Sequence, residues 1–573
     1  MNLRYSGNDV HGVTAKVVDM PHHYVEIHPN IRQQFWDAQH WPKHILVRYT
    51  WEEQSEIDVS SGFYFLFGSA LALSFVLSIY ILESSRDKFA RFVRETVAES
   101  SVPGISVAKV GEEVMSLGKI AFPIVMTTLL IYSRSVISML FLSHLGKVEL
   151  AGGSLALGCA NITGNSIIKG LAIGMDPICG QAFGAKRFHI LSQVYQKTLC
   201  LLLLVCIPIS LLWINSELIF LKLGQDPEIS RVAKTYIIFT IPELVAQAVL
   251  TPMRAFLRTQ GLTSPLTIAA IAAVVLHLPI NYIFTIQFKW GIKGVALALA
   301  CNTVNLNLGL LIYVLLSKTP LKPWHNFTIS SFFQGWWPLL ALSVPSCISV
   351  CLEWWWYEIM LFLCGLLQNP EASVAAMGIL VQTTSLLYVF PYALSCSLTT
   401  RVGHALGARQ PSRAQWTTII GIIMAIGYGL SAAVVMSLLK SLWGKMFTEE
   451  PQILDMISAA LPIVGLCEIG NSPQTASCGV LTGTARPKDG VRINLFSFYV
   501  VGLPVAILMT FKFKIGFRGL WFGLLAAQIS CVLLMVYTLM KTDWKHQTKR
   551  AEELTLSAGD NQDLETGLIS SEN

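Results

Sequence analysis

The stretch Gly180-Gln-Ala-Phe-Gly-Ala-Lys186 returns later in the chain as Gly403-His-Ala-Leu-Gly-Ala-Arg409, an offset of 223 residues. Other marks return at nearly the same distance. Trp290-Gly-Ile-Lys-Gly294 is answered by Ile515-Gly-Phe-Arg-Gly519, and Gly261-x-x-x-Pro265 by Gly483-x-x-x-Pro487. Pro123, Pro227 and Pro279 have counterparts at Pro345, Pro451 and Pro504. One match of small residues could arise by chance, but six at offsets between 222 and 225 are hard to explain that way. A fixed period of this kind is the mark of duplication. The chain therefore reads as two diverged copies of one unit.

The text between the repeated marks says what the unit is. The chain has 573 residues, 53% hydrophobic and 13% charged, against about 25% charged in ordinary soluble domains. The charges that remain gather in short loops and in the two tails. Between them lie apolar runs of about 20 residues or more, the length a helix needs to cross a bilayer. Twelve spans are expected, over 114–142, 150–178, 188–213, 229–250, 263–287, 292–316, 337–366, 373–399, 412–438, 453–481, 490–511 and 518–540. Six spans fall in each copy, and copies in the same orientation are related by an axis along the membrane normal. A thirteenth apolar run, 62–82, is uncharged and also long enough to cross.

The domain division expected from this pattern is an N-terminal extension over 1–112 and a six-helix lobe over 113–317. A cytoplasmic linker over 318–336, a second lobe over 337–541 and a disordered cytoplasmic tail over 542–573 complete it. Lys and Arg mark the cytosolic loops of membrane proteins. They concentrate at Lys186/Arg187, Arg254/Arg258, Lys318/Lys322, Arg401/Arg409/Arg413 and Arg486/Lys488/Arg492, and they flank the whole block on both sides. Both ends of the twelve-helix block thus face the cytosol, and the sequon at Asn326 lies on the wrong side for glycosylation. The start of the chain lacks the n-region and h-region order of a signal peptide. The net charge of +6 suits loops beside an anionic leaflet, and no basic patch interleaved with aromatics suggests nucleic acid. Twelve cysteines lie in or beside apolar runs with no C-x-x-C among them, so ordinary buried packing is expected and neither a metal nor a cofactor.

Several strings resemble the MATE family of multidrug and toxic compound extrusion transporters, in its plant DETOXIFICATION branch. They are Glu149-Leu-Ala-Gly-Gly-Ser-Leu-Ala156, Met175-Asp-Pro-Ile-Cys-Gly-Gln-Ala-Phe-Gly-Ala-Lys-Arg187, Gly224-Gln-Asp-Pro-Glu228, Cys351-Leu-Glu-Trp-Trp355 and Cys478-Gly-Val-Leu-Thr-Gly-Thr-Ala-Arg-Pro487. The resemblance runs from about Val110 to Trp544. It implies an all-α membrane protein of twelve transmembrane helices, two six-helix repeats around a central V-shaped cavity, to which the apolar run 62–82 would add an extra N-terminal helix outside the resemblance. It also implies a proton-driven antiporter of small organic solutes such as xenobiotics, secondary metabolites or hormones, in the plasma membrane or a vacuolar or other endomembrane. The partners expected are solute, protons and lipid, with the protein acting as a monomer. Residues 1–100 fall outside the resemblance, either as an extension with a further helix or as the product of a fused gene model, the second being favoured.

Charged side chains inside spans need an explanation, because insertion scales put their cost at about 2.5–3.5 kcal/mol each. Glu353 sits in the middle of the seventh span beside Trp354, Trp355 and Trp356. Taking up a proton would remove its burial cost and change which conformation is favoured, which is what a coupling site must do. The resemblance places a proton-linked Glu in this Cys-Leu-Glu-Trp-Trp string, and an acidic partner on the tenth span, where Glu468 stands. The bland alternative for both is a structural carboxyl bonded to a neighbouring helix. Glu358, on a different face and nearer the aqueous end, is read as solvated or structural.

The first copy departs from the prokaryotic pattern, since its first span carries Arg134 and no acid. Glu243 in the fourth span is the natural partner for Arg134. Lys169 in the second span stands where the family resemblance leads one to expect a small polar residue. It either pairs with a carboxyl or biases the cavity against cations. Trp354, Trp355, Asn281, Gln382, Asn471 and Gln474 are expected substrate contacts, although helix–helix hydrogen bonds explain most polar residues in spans. Pro123, Pro345, Pro279 and Pro504 would bend their helices, either as hinges or as fixed kinks. An enzyme is not expected, because there is no H-E-x-x-H, no G-x-S-x-G and no phosphate loop. An uncoupled channel, a flippase of lipid-linked substrates or a membrane sensor are the competing readings.

Overall fold

The structure is a computed structural model, and it describes residues 107–317 and 335–558. The 62–82 run, nearly all of the 1–112 extension and most of the 318–336 linker lie outside the described residues. The first copy contributes α1 (Val107–Leu145), α2, α3 (Phe188–Ile214), α4 (Pro227–Thr259), α5 (Ser264–Gln287) and α6 (Ile292–Ser317). Helix α2 consists of four consecutive segments, Lys147–Ala160, Asn161–Asn165, Ser166–Ile173 and Met175–Gly184. The second copy contributes α7 (Trp336–Cys364), α8 (Pro370–Gly407), α9 (Pro411–Leu438), α10 (Pro451–Gly483), α11 (Pro487–Lys512) and α12 (Phe517–Met540). The protein is an all-α membrane protein of two six-helix repeats. Eleven of the twelve helices are long and apolar enough to cross a membrane on their own. The exception is α2, whose run is divided by a π-helical turn at Asn161–Asn165 and by Gly174.

Local sequence explains where helices begin. A proline stands in the first turn of α4, α5, α8, α9, α10 and α11, where its missing N–H costs nothing. At α4 the Asp226 carboxylate also accepts the free N–H groups of Glu228 and Ile229. The ends of α2 and α8 close in the same way, with Lys186 and Arg409 in the left-handed region at φ 59° and 55°.

The duplication reaches into irregular backbone. Both α5 and α11 widen to a π-helix at equivalent places, Ile283–Gln287 and Leu508–Lys512, after Pro279 and Pro504. Gly294 and Gly519 pack against these turns. A Cβ on Gly294 would lie 2.9 Å from the Phe284 carbonyl, and one on Gly519 would lie 2.6 Å from the Thr510 amide. The π turns lie just after the prolines, where a missing N–H has already disturbed the helix ladder.

Leu204, Ile207 and Leu211 on one face of α3 are 57%, 58% and 58% exposed, as side chains turned to lipid should be. Inside, the apolar clusters show how the halves sit. One cluster belongs to the second half alone, around Trp356, Phe498 and Trp521. Another centres on Trp213, Tyr236 and Leu244 of the first half. The clusters that mix the halves pair Ile124 with Ala393, Leu117 with Leu398, and Met175 with Leu342. All three lie toward the end that carries the basic loops. The halves therefore close at the end that carries the basic loops and part toward the other end.

The tail differs from expectation. Residues 544–558 form a helix, α13 (Trp544–Ala558), rather than disordered chain. Asp543 caps it by accepting from the amides of Lys545 and His546. Its buried stripe, Trp544, Gln547, Ala551, Thr555 and Ala558, follows helical spacing among charged residues, and this pattern was hidden by the polar average of the segment.

Candidate functional site

Four glycines knit the seam toward the basic loops. A Cβ on Gly170 of α2 would lie 2.5 Å from Cys347 Cα of α7, and one on Gly174 would meet Ser343. A Cβ on Gly184 would strike the carbonyl of His404, and one on Gly407 the carbonyl of Gln181. Small residues let the backbones approach this closely. Side chains add polar ties across the same seam. Gln181 Nε2 donates to the Gly483 carbonyl at 2.9 Å, and His404 Nε2 lies 2.8 Å from the Thr259 carbonyl. Arg401 of α8 grips Glu113 of α1 through Nε at 2.9 Å and Nη2 at 2.5 Å, and Thr417 of α9 donates to the same carboxylate at 2.8 Å. Arg258 pairs with Asp176 at 2.5 Å inside the first half and donates to Cys396 Sγ of the second.

Outward of this closure, side-chain pairs cross from half to half on both seams, among them Cys351 Sγ of α7 with Ser166 Oγ of α2 at 3.7 Å. Tyr132 of α1 donates its hydroxyl to Gln382 Oε1 of α8 at 2.6 Å. Lys169 Nζ of α2 lies 4.8 Å above the Trp354 ring of α7. These contacts lie farther from the basic loops than the glycine seam, where the two halves begin to part. Glu353 stands next to Trp354, half-buried, and among the described residues no hydrogen bond or ion pair engages it. Glu358 is exposed, as expected of a residue near the aqueous end.

Glu468 is 2% exposed within the second half, and Asn471 Nδ2 donates to both of its carboxylate oxygens at 3.1 Å. Gln528 of α12 reaches Asn471 in turn at 3.5 Å. Gln474, on the same helix, is 0% exposed. Asn281 is also 0% exposed, locked to His277 within the first half. Asn281, Asn471 and Gln474 were expected to contact substrate, and in this conformation they do not reach the cavity. Each instead satisfies, or lies among, buried polar groups of its own half. Of the other expected contacts, Gln382 and Trp354 lie where the halves begin to part and Trp355 is exposed, whereas Trp356 is sealed against Phe498.

Arg134 Nη2 donates to Glu243 Oε1 at 2.8 Å, with Thr303 accepting from Nη1 at 2.7 Å. Lys169 has no such partner: among the described residues no carboxylate lies within ion-pair distance of it, so the secondary ion pair expected there is absent. Sequence reasoning missed Tyr132, Arg254 and the Glu113–Arg401 pair. The position of Tyr132 inside a span could have flagged it, whereas Arg254 was read as a loop residue because the fourth span was ended at 250 and α4 runs on to Thr259.

The MatE family model matches residues 123–283 and 345–508, one match in each half. The chain belongs to the MatE family. Protein DETOXIFICATION 53 of Arabidopsis thaliana is 65% identical over 464 residues, covering 81% of this chain and 96% of that protein. Protein DETOXIFICATION 48 of the same plant is 53% identical over 78% of this chain and 83% of its own length. Among solved structures, the eukaryotic MATE transporter AtDTX14 superposes with a TM-score of 0.74 at 29% identity, over 78% of this chain and 99% of its own. This member of the MatE family is accordingly an integral membrane transporter and not an enzyme.

Proposed function

We propose that this transporter exports small organic solutes in exchange for protons, by alternating access between the two halves. Residues 113–317 and 337–541 are the moving bodies in this reading, and 318–336 joins them. Glu353 carries the proposal: a carboxyl in the middle of a span, where the halves begin to part, with no partner to hold it charged. Such a group is far cheaper to keep neutral than ionised in low dielectric, so its proton is easily tied to which way the cavity faces. Glu468 is the second proton site, held by Asn471 beneath the cavity wall. Trp354 and Trp355 offer rings to flat solutes, and Gln382 offers a polar contact that Tyr132 now occupies.

The test is solute exchange in vesicles under an imposed pH gradient, for wild type and Glu353→Gln. The variant should lose the response to the gradient while keeping solute-for-solute exchange. Unchanged pH dependence would remove Glu353 from the mechanism, and no exchange by wild type under any gradient would remove transport by antiport.

A further inference from the structure

Among the described residues, Lys169 and Arg254, both within helices of the first half, have no acid within ion-pair distance. Lys169 of α2 is exposed, although it lies deep inside a membrane span. Arg254 of α4 is half-buried near the seam toward the basic loops, and no ion pair engages it among the described residues. The charges acting most strongly on Lys169 are Arg254 and then Arg134, both positive; the nearest acid, Glu243, is already committed to Arg134. Since the ammonium lies over Trp354 of the opposite half, the exposed face of Lys169 looks into the space between the halves and not into lipid. Asn161 and Asn165 stand two turns and one turn before it on that face, with Asn165 Nδ2 donating to Asn161 Oδ1 at 3.0 Å. Across the seam, the Trp354 ring lies under the ammonium at 4.8 Å.

Like charges that repel one another in a low-dielectric wall are stabilised by an anion placed between them and the cavity. A cation–π contact satisfies part of the Lys169 charge, but it leaves the three N–H donors without an acceptor. We propose that the corner formed by Lys169, Trp354 and the Asn161–Asn165 face seats organic anions that carry a flat ring, with Lys169 taking the carboxylate or sulfonate and Trp354 the ring. The Lys169–Trp354 contact is then the empty form of the seat, and a bound anion draws the ammonium from over the indole. This names the solute class for the transport proposed above and rests on that reading only for its direction of movement. An anion and a proton do not compete for one charge, so coupling runs through the conformation of the halves rather than through displacement. An anion leaving as a proton enters carries positive charge inward twice per cycle, and an inside-negative potential drives both.

Equilibrium binding to the purified full-length protein tests the seat without requiring transport. The probes are radiolabelled naphthalene-1-acetate, its uncharged amide, and (1-naphthylmethyl)trimethylammonium as the cation of similar shape. Wild type should bind the anion more tightly than the cation. Lys169→Gln should weaken the anion roughly ten- to hundredfold, the range expected for a lost charge-assisted bond, while the amide is unaffected and the cation is unaffected or tighter. Lys169→Arg should keep most of the anion affinity, which separates loss of charge from misfolding. A wild type without preference for the anion, or a Gln variant with an unchanged ratio of anion to cation, overturns the proposal. Anion binding through Lys169 in a protein that exchanges no solute in vesicles would instead overturn the transport reading and leave the seat standing.

Discussion

Gly180 and Gly403 hold the same position in the two repeats, and they face each other across the molecule. A Cβ on Gly403 would lie 3.3 Å from Gly180 Cα, and one on Gly180 would lie 3.5 Å from Gly403 Cα. The repeated string thus does more than record a duplication: it is the place where the two copies meet. Symmetry explains why the string is short-sided, because a residue on the pseudo-twofold axis must make room for its own counterpart.

The seam grades the effect of adding a methyl group. Gly180→Ala and Gly403→Ala should be tolerated with small losses, since their nearest neighbours are at ordinary or slightly tight contact. Gly407→Ala and Gly184→Ala would drive a methyl into backbone carbonyls that cannot move aside, at about 1–3 kcal/mol each. Thermal unfolding in detergent should separate the two pairs by several degrees. Equal melting of all four would mean that the halves are not packed this tightly.

The Arg134–Glu243 pair should be costly to break and cheap to replace. Glu243→Gln leaves a guanidinium buried with only Thr303 and a long contact to Asn302, and should cost about 3–5 kcal/mol. Replacing both, as in Arg134→Met with Glu243→Leu, should recover most of that loss. A double mutant as unstable as the single one would show that the carboxylate has a further task, beyond neutralising Arg134.

The fold could be read almost entirely from the sequence, and the physical reason is the lipid. A bilayer forces each span to be long, apolar and helical, so twelve runs and a repeat leave little choice of architecture. Helix α2 shows the limit. Its apolar run predicts one helix, and nothing in that run marks the π turn at Asn161–Asn165, where Trp213 and Leu244 pack close against Gly164. The site was less legible. Glu353 and Lys169 stand out because charge in a span is costly. Asn281 and Gln474 were indistinguishable from cavity residues, because an amide enclosed within its own half and an amide facing water have the same letter. The partner of Glu113 lies 288 residues away, a pairing that no local pattern encodes.

Helix α13 lies across both halves on the side of the basic loops. Arg187 of the first half donates to Thr555 at 3.0 Å, and Arg409 of the second pairs with Glu552. Lys186 and Arg409 are repeat equivalents, so a single helix answers both copies of the same loop. Ending the chain after Thr542 should therefore loosen the seam without unfolding either half. Hydrogen–deuterium exchange of the amides of Ala185 and Ala408, at the ends of α2 and α8, should rise several-fold on truncation. Exchange unchanged at both ends would show that α13 rests on the surface without holding it.

The Glu113–Arg401 pair makes the most exacting test of how the end with the basic loops is closed. It joins α1 of one half to α8 of the other, and the two side chains are only 12% and 17% exposed. Opening at that end must separate them, so the pair contributes to the closed state alone. Glu113→Gln keeps the shape and one hydrogen bond but removes the charge, and a loss of about 2 kcal/mol would shift the balance toward the open state roughly thirtyfold. Cys396 reports the change without a new label site: it is 8% exposed at the seam, with Arg258 of the opposite half donating to its sulfur. Its alkylation rate, followed by mass spectrometry of the peptide that contains it, should rise by about that factor in Glu113→Gln. Buried Cys364 and Cys467, enclosed within the second half, should not change. A charge reversal that restores the pair, Glu113→Arg with Arg401→Glu, should bring the rate back toward wild type. Rates that rise equally at all three cysteines would mean general loosening of the fold rather than the opening of a gate.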